Sequence, residues 1–254
     1  MSDYTATEMM TIAAARALRD DDVCFVGIGA PSAACNLARL THAPNITLIY
    51  ESGPLGAAPS VLPLSVGDGE LSASAVVTVP VPEMFAYWLQ GGRISLGFLG
   101  AAQLDRFANI NTTVIGDYAN PTVRLPGAGG APEIANACGR VFVIMKHTPR
   151  GLVERVDFVT SLGFGRTGRE RAQLGITTAG PVLVVTDLCL LEPDEDNELI
   201  VTSLHPGVSR ADIAAATGWE IRFADDVGQT LAPSHAELES LRDLHRRTAT
   251  AHTS

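Results

Sequence analysis

Glu51 is the residue whose setting most invites chemistry. It closes the apolar run Ile46-Thr47-Leu48-Ile49-Tyr50 and is followed at once by Ser52-Gly53-Pro54. A short apolar run that stops at Gly and Pro reads as a buried strand ending in a tight turn. In an open α/β sheet, ligands bind at the carboxyl ends of the strands. A carboxylate buried there is poorly hydrated, so its pKa is expected to rise and its oxygens to make a better nucleophile or base than in water. The plainer alternative is a carboxylate that caps a helix or pairs with an Arg.

A second constellation is Gly127-Ala128-Gly129-Gly130, followed by Pro132 and Glu133. Pro suits the first helical turn and an acidic side chain there suits the helix dipole, so a helix is predicted to start here. The glycines allow close backbone approach, and amides at such a start can stabilise an oxyanion. A nucleophilic carboxylate with oxyanion donors is the pairing acyl transfer needs. Otherwise the cluster is an ordinary strand-to-helix connection.

Three further groups have a chemical and a plain reading. Gly27-Ile28-Gly29 follows an apolar run, and Glu51 comes about 20 positions later, which resembles a dinucleotide fingerprint with Glu51 on a ribose hydroxyl. Ser32 stands where that fingerprint wants a third Gly, and Pro31 removes an N–H from the turn, so a plain tight turn is the better reading. Arg166, Arg169 and Arg171 could grip phosphate or carboxylate, but a solvated basic loop explains them as well. His205, in Ser203-Leu204-His205-Pro206-Gly207, reads as polar support at a turn.

The elements that must position these residues follow from periodicity and breakers. Thr5-Ala6-Thr7-Glu8 has capping-box spacing, and a helix is expected to run to Arg19. Val23–Val26, a helix over Ser32–Leu40 and the strand ending at Glu51 form a strand, crossover helix, strand unit, which predicts a parallel sheet. Gly53–Gly69 reads as a long ordered loop, long enough to suggest function. Pro82–Leu89 looks helical, and Ile94–Leu99, Thr113–Ile115 and Val141–Met145 look like strands. Val182–Thr186 and Glu198–Leu204 flank an acidic turn and suggest an antiparallel pair. A helix over Ser209–Thr217 and a last amphipathic helix over Ser234–Arg247 complete the chain, with residues 248–254 expected to fray. The expected architecture is one α/β domain over residues 1–254, an open, mostly parallel sheet with helices on both faces.

Bulk composition narrows the partners. The 254 residues are 46% hydrophobic and 18% charged, with a net charge of −10, and mean hydropathy is +0.18. That is apolar for a lone chain, so either the sheet is covered on both faces or much surface meets another chain. The negative charge argues against nucleic acid and anionic membrane as partners. No apolar run approaches the ~18 residues that span a bilayer, and Met1-Ser2-Asp3-Tyr4 lacks the basic and apolar regions of an export signal, so a cytoplasmic location is expected. Cys24, Cys35, Cys138 and Cys189 are scattered without C-x-x-C spacing, which reads as small reduced core residues rather than metal ligands. No metal is expected.

Together, Tyr50-Glu51-Ser52-Gly53-Pro54, Leu64-Ser65-Val66-Gly67-Asp68-Gly69, Gly100 to Phe107, Ile115-Gly116-Asp117-Tyr118, Gly127 to Pro132 and Ser203 to Val208 resemble the B subunits of family I coenzyme A transferases, the glutaconate type in particular. The likeness runs from about Thr7 to Arg247. It implies an open α/β fold, a separately encoded A subunit and a heteromeric enzyme active at the contact of the two. It places the family's catalytic glutamate on Glu51 and its oxyanion loop on Gly127, Gly129 and Gly130. It further implies no permanently bound cofactor: coenzyme A is the substrate, moving from succinyl-CoA to 3-oxoadipate through a thioester on Glu51. A thioester hydrolase on the same scaffold, a transferase for glutaconate or acetoacetate, and a non-catalytic nucleotide- or CoA-binding module are the rival readings. Ala108 departs from the pattern, since relatives carry Gly there.

Overall fold

Two stretches of chain, Met1–Phe98 with Ala232–Ser254 and Leu99–Leu231, form separate compact units. The computed structural model describes residues 3–252, so the end of the tail expected to fray, 253–254, lies outside the described residues.

In the first unit, helix α1 (Ala6–Arg16) starts from the predicted capping box and stops three residues before Arg19. Strand β1 (Val23–Val26), helix α2 (Ala30–Leu40) and strand β2 (Thr47–Tyr50) form the expected crossover unit. β1 and β2 run parallel, with Val23 opposite Thr47 and Val26 opposite Tyr50. Beyond them come β3 (Pro54–Leu55), α3 (Gly69–Ser74), β4 (Val77–Thr78), α4 (Val81–Glu83) continuing as a π-turn over Met84–Leu89, and β5 (Leu96–Leu99). The strand order is β5-β1-β2-β3-β4; β5 is parallel to β1, while β3 and β4 add antiparallel.

The C-terminal helix, His235–Ala251, packs on α1 and α2 and extends past the predicted end at Arg247. Its capping box is Ser234 with Glu237. The two capping glutamates are used reciprocally. Glu8 of α1 accepts from Arg242 at 2.6 Å, and Glu237 accepts from Arg16 at 2.6 Å. Each carboxylate therefore satisfies its own helix's end and holds the other helix. Hydrogen bonding to the partner arginine holds both Glu8 and Glu237 down at a pKa of about 2.

The second unit begins with two small hairpins, β6 (Gln103–Leu104) with β7 (Ile110–Asn111) and β8 (Val114–Gly116) with β9 (Pro121–Arg124). Helix α5 (Ala131–Ala137), β10 (Arg140–Ile144), the short α6 (Glu170–Gln173), β11 (Pro181–Val185), β12 (Cys189–Pro193), β13 (Leu199–Leu204), α7 (Arg210–Ala216) and β14 (Arg222–Gln229) follow. β10 and β11 are parallel, β12 is antiparallel to both neighbours, and β14 is parallel to β13.

The expected pairing of Val182–Thr186 with Glu198–Leu204 is corrected by β12, which lies between them. The acidic turn joins β12 to β13 instead. Its geometry suits its composition: Asp194 Oδ1 accepts from the amides of Asp196 and Glu198 at 3.0 and 2.9 Å, and Asn197 takes φ 62°. Cys189-Leu190-Leu191-Glu192-Pro193 leaves no strand signal in the sequence because Glu and Pro end the apolar run after three residues.

A buried polar knot joins the chain just beyond the ends of β10, β11, β13 and α7. His147 meets Thr186 Oγ1 at 3.1 Å through Nδ1 and Thr217 Oγ1 at 2.9 Å through Nε2. His205 donates from Nε2 to the carbonyl of Thr186 at 2.9 Å, the support role expected of it. Burial pushes His147 down to about 4 and the Cys189 thiol up to about 12.

Candidate active site

Glu51 stands at the second position of a tight turn, closed by the Gly53 amide donating to the Tyr50 carbonyl at 2.9 Å. Every neighbour in that turn is fixed. Tyr50 is fully buried, and its hydroxyl lies 3.2 Å from Ser32 Oγ on α2. Burial raises that phenol to about 12, so it stays protonated. Ser52 donates its hydroxyl to the Val66 carbonyl. Gly53 adopts φ 117°, and a Cβ there would sit 2.0 Å from the Val79 carbonyl oxygen, so both its conformation and its contact require glycine. The Val79 amide donates to the Gly53 carbonyl at 3.0 Å.

Within this frame the Glu51 side chain is the exception. It is half-buried rather than buried, and its carboxylate has no hydrogen bond or ion pair to any described residue. The capping and ion-pair alternatives therefore have no partner. What remains is a carboxylate on rigid backbone at the carboxyl end of a parallel strand, with its lone pairs uncommitted.

The glycine cluster belongs to the second unit. Gly127 and Gly129 adopt φ 104° and 49°. Thr112 clamps the loop from both sides, its carbonyl accepting from the Gly127 amide at 2.9 Å and its hydroxyl donating to the Gly127 carbonyl at 2.8 Å. The amides of Ala128, Gly129 and Gly130 have no acceptor among the described residues. They are three hydrogen-bond donors on a held loop, the type of group an oxyanion requires. Pro132 and Glu133 open α5 as expected.

The three arginines separate. Arg171 is 4% exposed and donates to the Ala135 carbonyl at 2.7 Å and to Thr178 Oγ1 at 2.6 Å, pinning α5 behind the glycine loop. Burial lowers its pKa. Arg169 is exposed. Arg166 lines a cavity of about 770 Å³ with Arg155, Arg106, Phe107 and Phe158. Ser32 explains the incomplete nucleotide fingerprint: it is fully buried and spent on Tyr50. Gly29, at φ 78°, simply precedes α2, which begins at Ala30.

One group is not legible in the sequence. Asp105 is buried in a turn, where Oδ1 accepts from the amides of Phe107 and Asn109 at 3.1 and 3.0 Å and Asn109 Nδ2 reaches both oxygens. Its spacing, Asp-x-x-x-Asn, is the only signal it leaves. Ala108 inside this turn adopts φ 57°, the left-handed region that favours glycine, and so bears backbone strain that glycine would not.

The coenzyme A transferase profile matches residues 7–216. Over 253 residues, 99% of this chain and 97% of the relative, the chain is 61% identical to the B subunit of 3-oxoadipate CoA-transferase from Pseudomonas knackmussii. The chain belongs to the coenzyme A transferase family. It is also 32% identical to the B subunit of glutaconate CoA-transferase from Acidaminococcus fermentans, over 95% of this chain and 92% of that one. The crystal structure of that organism's glutaconate CoA-transferase superposes with a TM-score of 0.89 at 31% identity, covering 95% of this chain and 94% of the other. The open, mostly parallel α/β architecture is thus the transferase fold. A cholesterol ring-cleaving hydrolase IpdB subunit of Mycobacterium tuberculosis is 27% identical over 94% of this chain and 93% of its own length. Among the described residues of this transferase, no helix is long and apolar enough to cross a membrane.

Proposed function

We propose that the chain is the B subunit of a two-subunit CoA-transferase that moves coenzyme A from succinyl-CoA to 3-oxoadipate, with Glu51 as the acyl-carrying nucleophile. The observation that carries the role of Glu51 is its uncommitted carboxylate on a fully tied turn. The 61% identity over nearly the whole chain supports the choice of substrates. The four cysteines are buried and none is joined in a disulfide, which suits the reducing cytoplasm where we place the enzyme.

The reaction proceeds by double displacement. The Glu51 carboxylate attacks the thioester carbonyl of succinyl-CoA, forming a mixed anhydride and releasing CoA thiolate. The thiolate attacks the Glu51 carbonyl carbon of that anhydride, giving the Glu51–CoA thioester and free succinate. The carboxylate of 3-oxoadipate then attacks the thioester, again forming an anhydride and thiolate. Attack of the thiolate on the oxoadipyl carbonyl yields 3-oxoadipyl-CoA and restores Glu51. One thioester is exchanged for another, so no ATP is consumed. Each addition places negative charge on a carbonyl oxygen. The free amides of Ala128, Gly129 and Gly130 are the donors we assign to it, each worth about 3 kcal/mol where geometry is ideal.

Incubation of the A/B complex with succinyl-CoA followed by borohydride should convert Glu51 to the corresponding alcohol, located by peptide mass mapping. Recovery of unmodified Glu51 under conditions where succinate is released would overturn the assignment. The hydrolase relative motivates one control. A transferase releases little free acid without an acceptor; release as fast as transfer would identify a hydrolase.

A further inference from the structure

Polar side chains recur on α2 at Ser32, Asn36 and Arg39, a spacing that lines them along one face of the helix. Ser32 and Asn36 are fully buried and Arg39 is half-buried. The three make a continuous relay. Arg39 Nη2 donates to Asn36 Oδ1 at 3.1 Å, Asn36 Nδ2 donates to the Ser32 carbonyl at 2.9 Å, and Ser32 Oγ meets the Tyr50 hydroxyl at 3.2 Å. A guanidinium only donates, so it fixes which end of the Asn36 amide faces Ser32.

The same Arg39 nitrogen donates to the Pro59 carbonyl at 2.8 Å, and Arg247 of the C-terminal helix donates to the next carbonyl, that of Ser60. The Leu62 amide then donates to Thr248 Oγ1 at 2.8 Å. The loop held in this way is the one whose Val66 carbonyl accepts from Ser52. Two lines of contact therefore leave Arg39. One runs through Asn36 and Ser32 to Tyr50, the residue before Glu51; the other runs along the loop to Ser52, the residue after it.

Stability alone does not call for this arrangement. Arg39 has no carboxylate partner among the described residues, and its Nε is buried without an acceptor. Burial lowers its pKa, and the like charge of Arg247 adds to the effect. An apolar side chain packed in the same place would avoid that desolvation. Local rules broken at such a cost mark functional positions.

We infer that Arg39 is a positioning residue for the transfer reaction, aiming the Glu51 carboxylate by bracing both of its neighbours in the chain. This deepens the reading of Glu51 as the nucleophile and rests on it. A turn held from both sides keeps the attacking oxygen in line with the thioester carbon, where a displacement of about 1 Å costs on the order of a hundred-fold in rate.

The test measures, in the full A/B complex, the single-turnover rate at which succinyl-CoA loads Glu51. The rate is counted per site that borohydride traps, so unfolded chain does not enter it. Arg39→Met keeps the stem and removes the guanidinium. It should slow loading about thirty-fold while KM for succinyl-CoA stays within about two-fold of wild type. Both Arg39 bonds leave one nitrogen, so the ammonium of Arg39→Lys can make both and should recover most of the loss. Arg16→Met cuts the tie to Glu237 between the first and last helices and should lower the urea midpoint with loading per site unchanged. Tyr50→Phe removes one oxygen and leaves the packed ring; it should slow loading about five-fold, and it decides the question if Arg39→Met does not fold. Wild-type loading in Arg39→Met, or in Tyr50→Phe where the first variant fails to fold, would overturn the inference. An equal loss in Arg16→Met would do the same, since the effect would then be general. A borohydride label on a residue other than Glu51 in the wild-type complex would remove the nucleophile reading and this inference with it.

Discussion

Glu51 and Asp105 are both carboxylates in tight turns, one in each unit, and they are treated in opposite ways. Asp105 is 4% exposed, with the amides of Phe107 and Asn109 and the side chain of Asn109 all donating to it. Burial raises its pKa, and those donors oppose the rise. Glu51 has its backbone tied as firmly, yet no described residue touches its oxygens with a donor. A committed carboxylate stabilises a turn; an uncommitted one on a tied turn keeps its lone pairs open, which is what the nucleophilic role we propose for Glu51 requires.

The sharpest way to break this comparison is to remove each carboxylate. Glu51→Gln should lower transfer by roughly ten-thousand-fold or more while leaving stability within about 0.5 kcal/mol, since no internal contact is lost. Asp105→Ala should do the reverse: it strands buried donors and costs on the order of 3 kcal/mol, visible as a lower urea midpoint. Retained turnover in the Glu51→Gln complex would return Glu51 to a structural or ribose-binding role. Gly53→Ala joins the two effects. Its Cβ would meet the Val79 carbonyl at 2.0 Å, so about 2–4 kcal/mol of stability and the aim of Glu51 should be lost together.

The Glu51 turn was legible in the sequence because three signals coincide: an apolar run, a carboxylate at its end, and Gly-Pro after it. The crossover unit, the Thr5–Glu8 capping box and the glycine cluster were legible for the same reason, since each is set by neighbours in the chain. What was hidden depends on distant residues. Val77-Thr78 becomes a strand only by pairing with Pro54-Leu55 across an intervening stretch of loop and helix, and Leu55 in turn pairs with Ile49. β12 is too short to announce itself beside its acidic turn. Asp105 is indistinguishable from a solvated aspartate until Asn109 folds back on it, and Arg171 looked like part of a basic loop until Ala135 and Thr178 enclosed it.

The buried His147 knot extends the comparison to pH. It is a fully satisfied group like Asp105, but one that folds neutral. Burial lowers its pKa from 6.5 to about 4. Between those values the unfolded chain binds a proton that the folded chain does not, so stability rises with pH across the window. The contribution, roughly 3 kcal/mol, is fully present above 6.5 and is lost as pH falls toward 4. His205, also lowered by burial, acts in the same direction. Glu8 and Glu237, held at about 2, add a separate loss only below their ordinary value of 4.5. Urea titrations at about pH 7.5 and about pH 5 check this; equal unfolding free energies would mean that the imidazole is hydrated in solution.

The smallest effect concerns Ala108, in the turn that Asp105 holds. An alanine at φ 57° bears about 1 kcal/mol of left-handed strain that glycine would not. Glycine gains chain entropy when unfolded, and it loses a methyl group that is fully buried here, so the two corrections offset part of the gain. Ala108→Gly should therefore raise stability by a few tenths of a kcal/mol at most, measurable as a small increase in urea midpoint with unchanged slope. A clear loss would show that the methyl's packing outweighs the backbone strain, and that this turn is held by its core contacts as much as by the carboxylate of Asp105. In either case turnover should stay at the wild-type level, because the substitution leaves the Glu51 turn as it was.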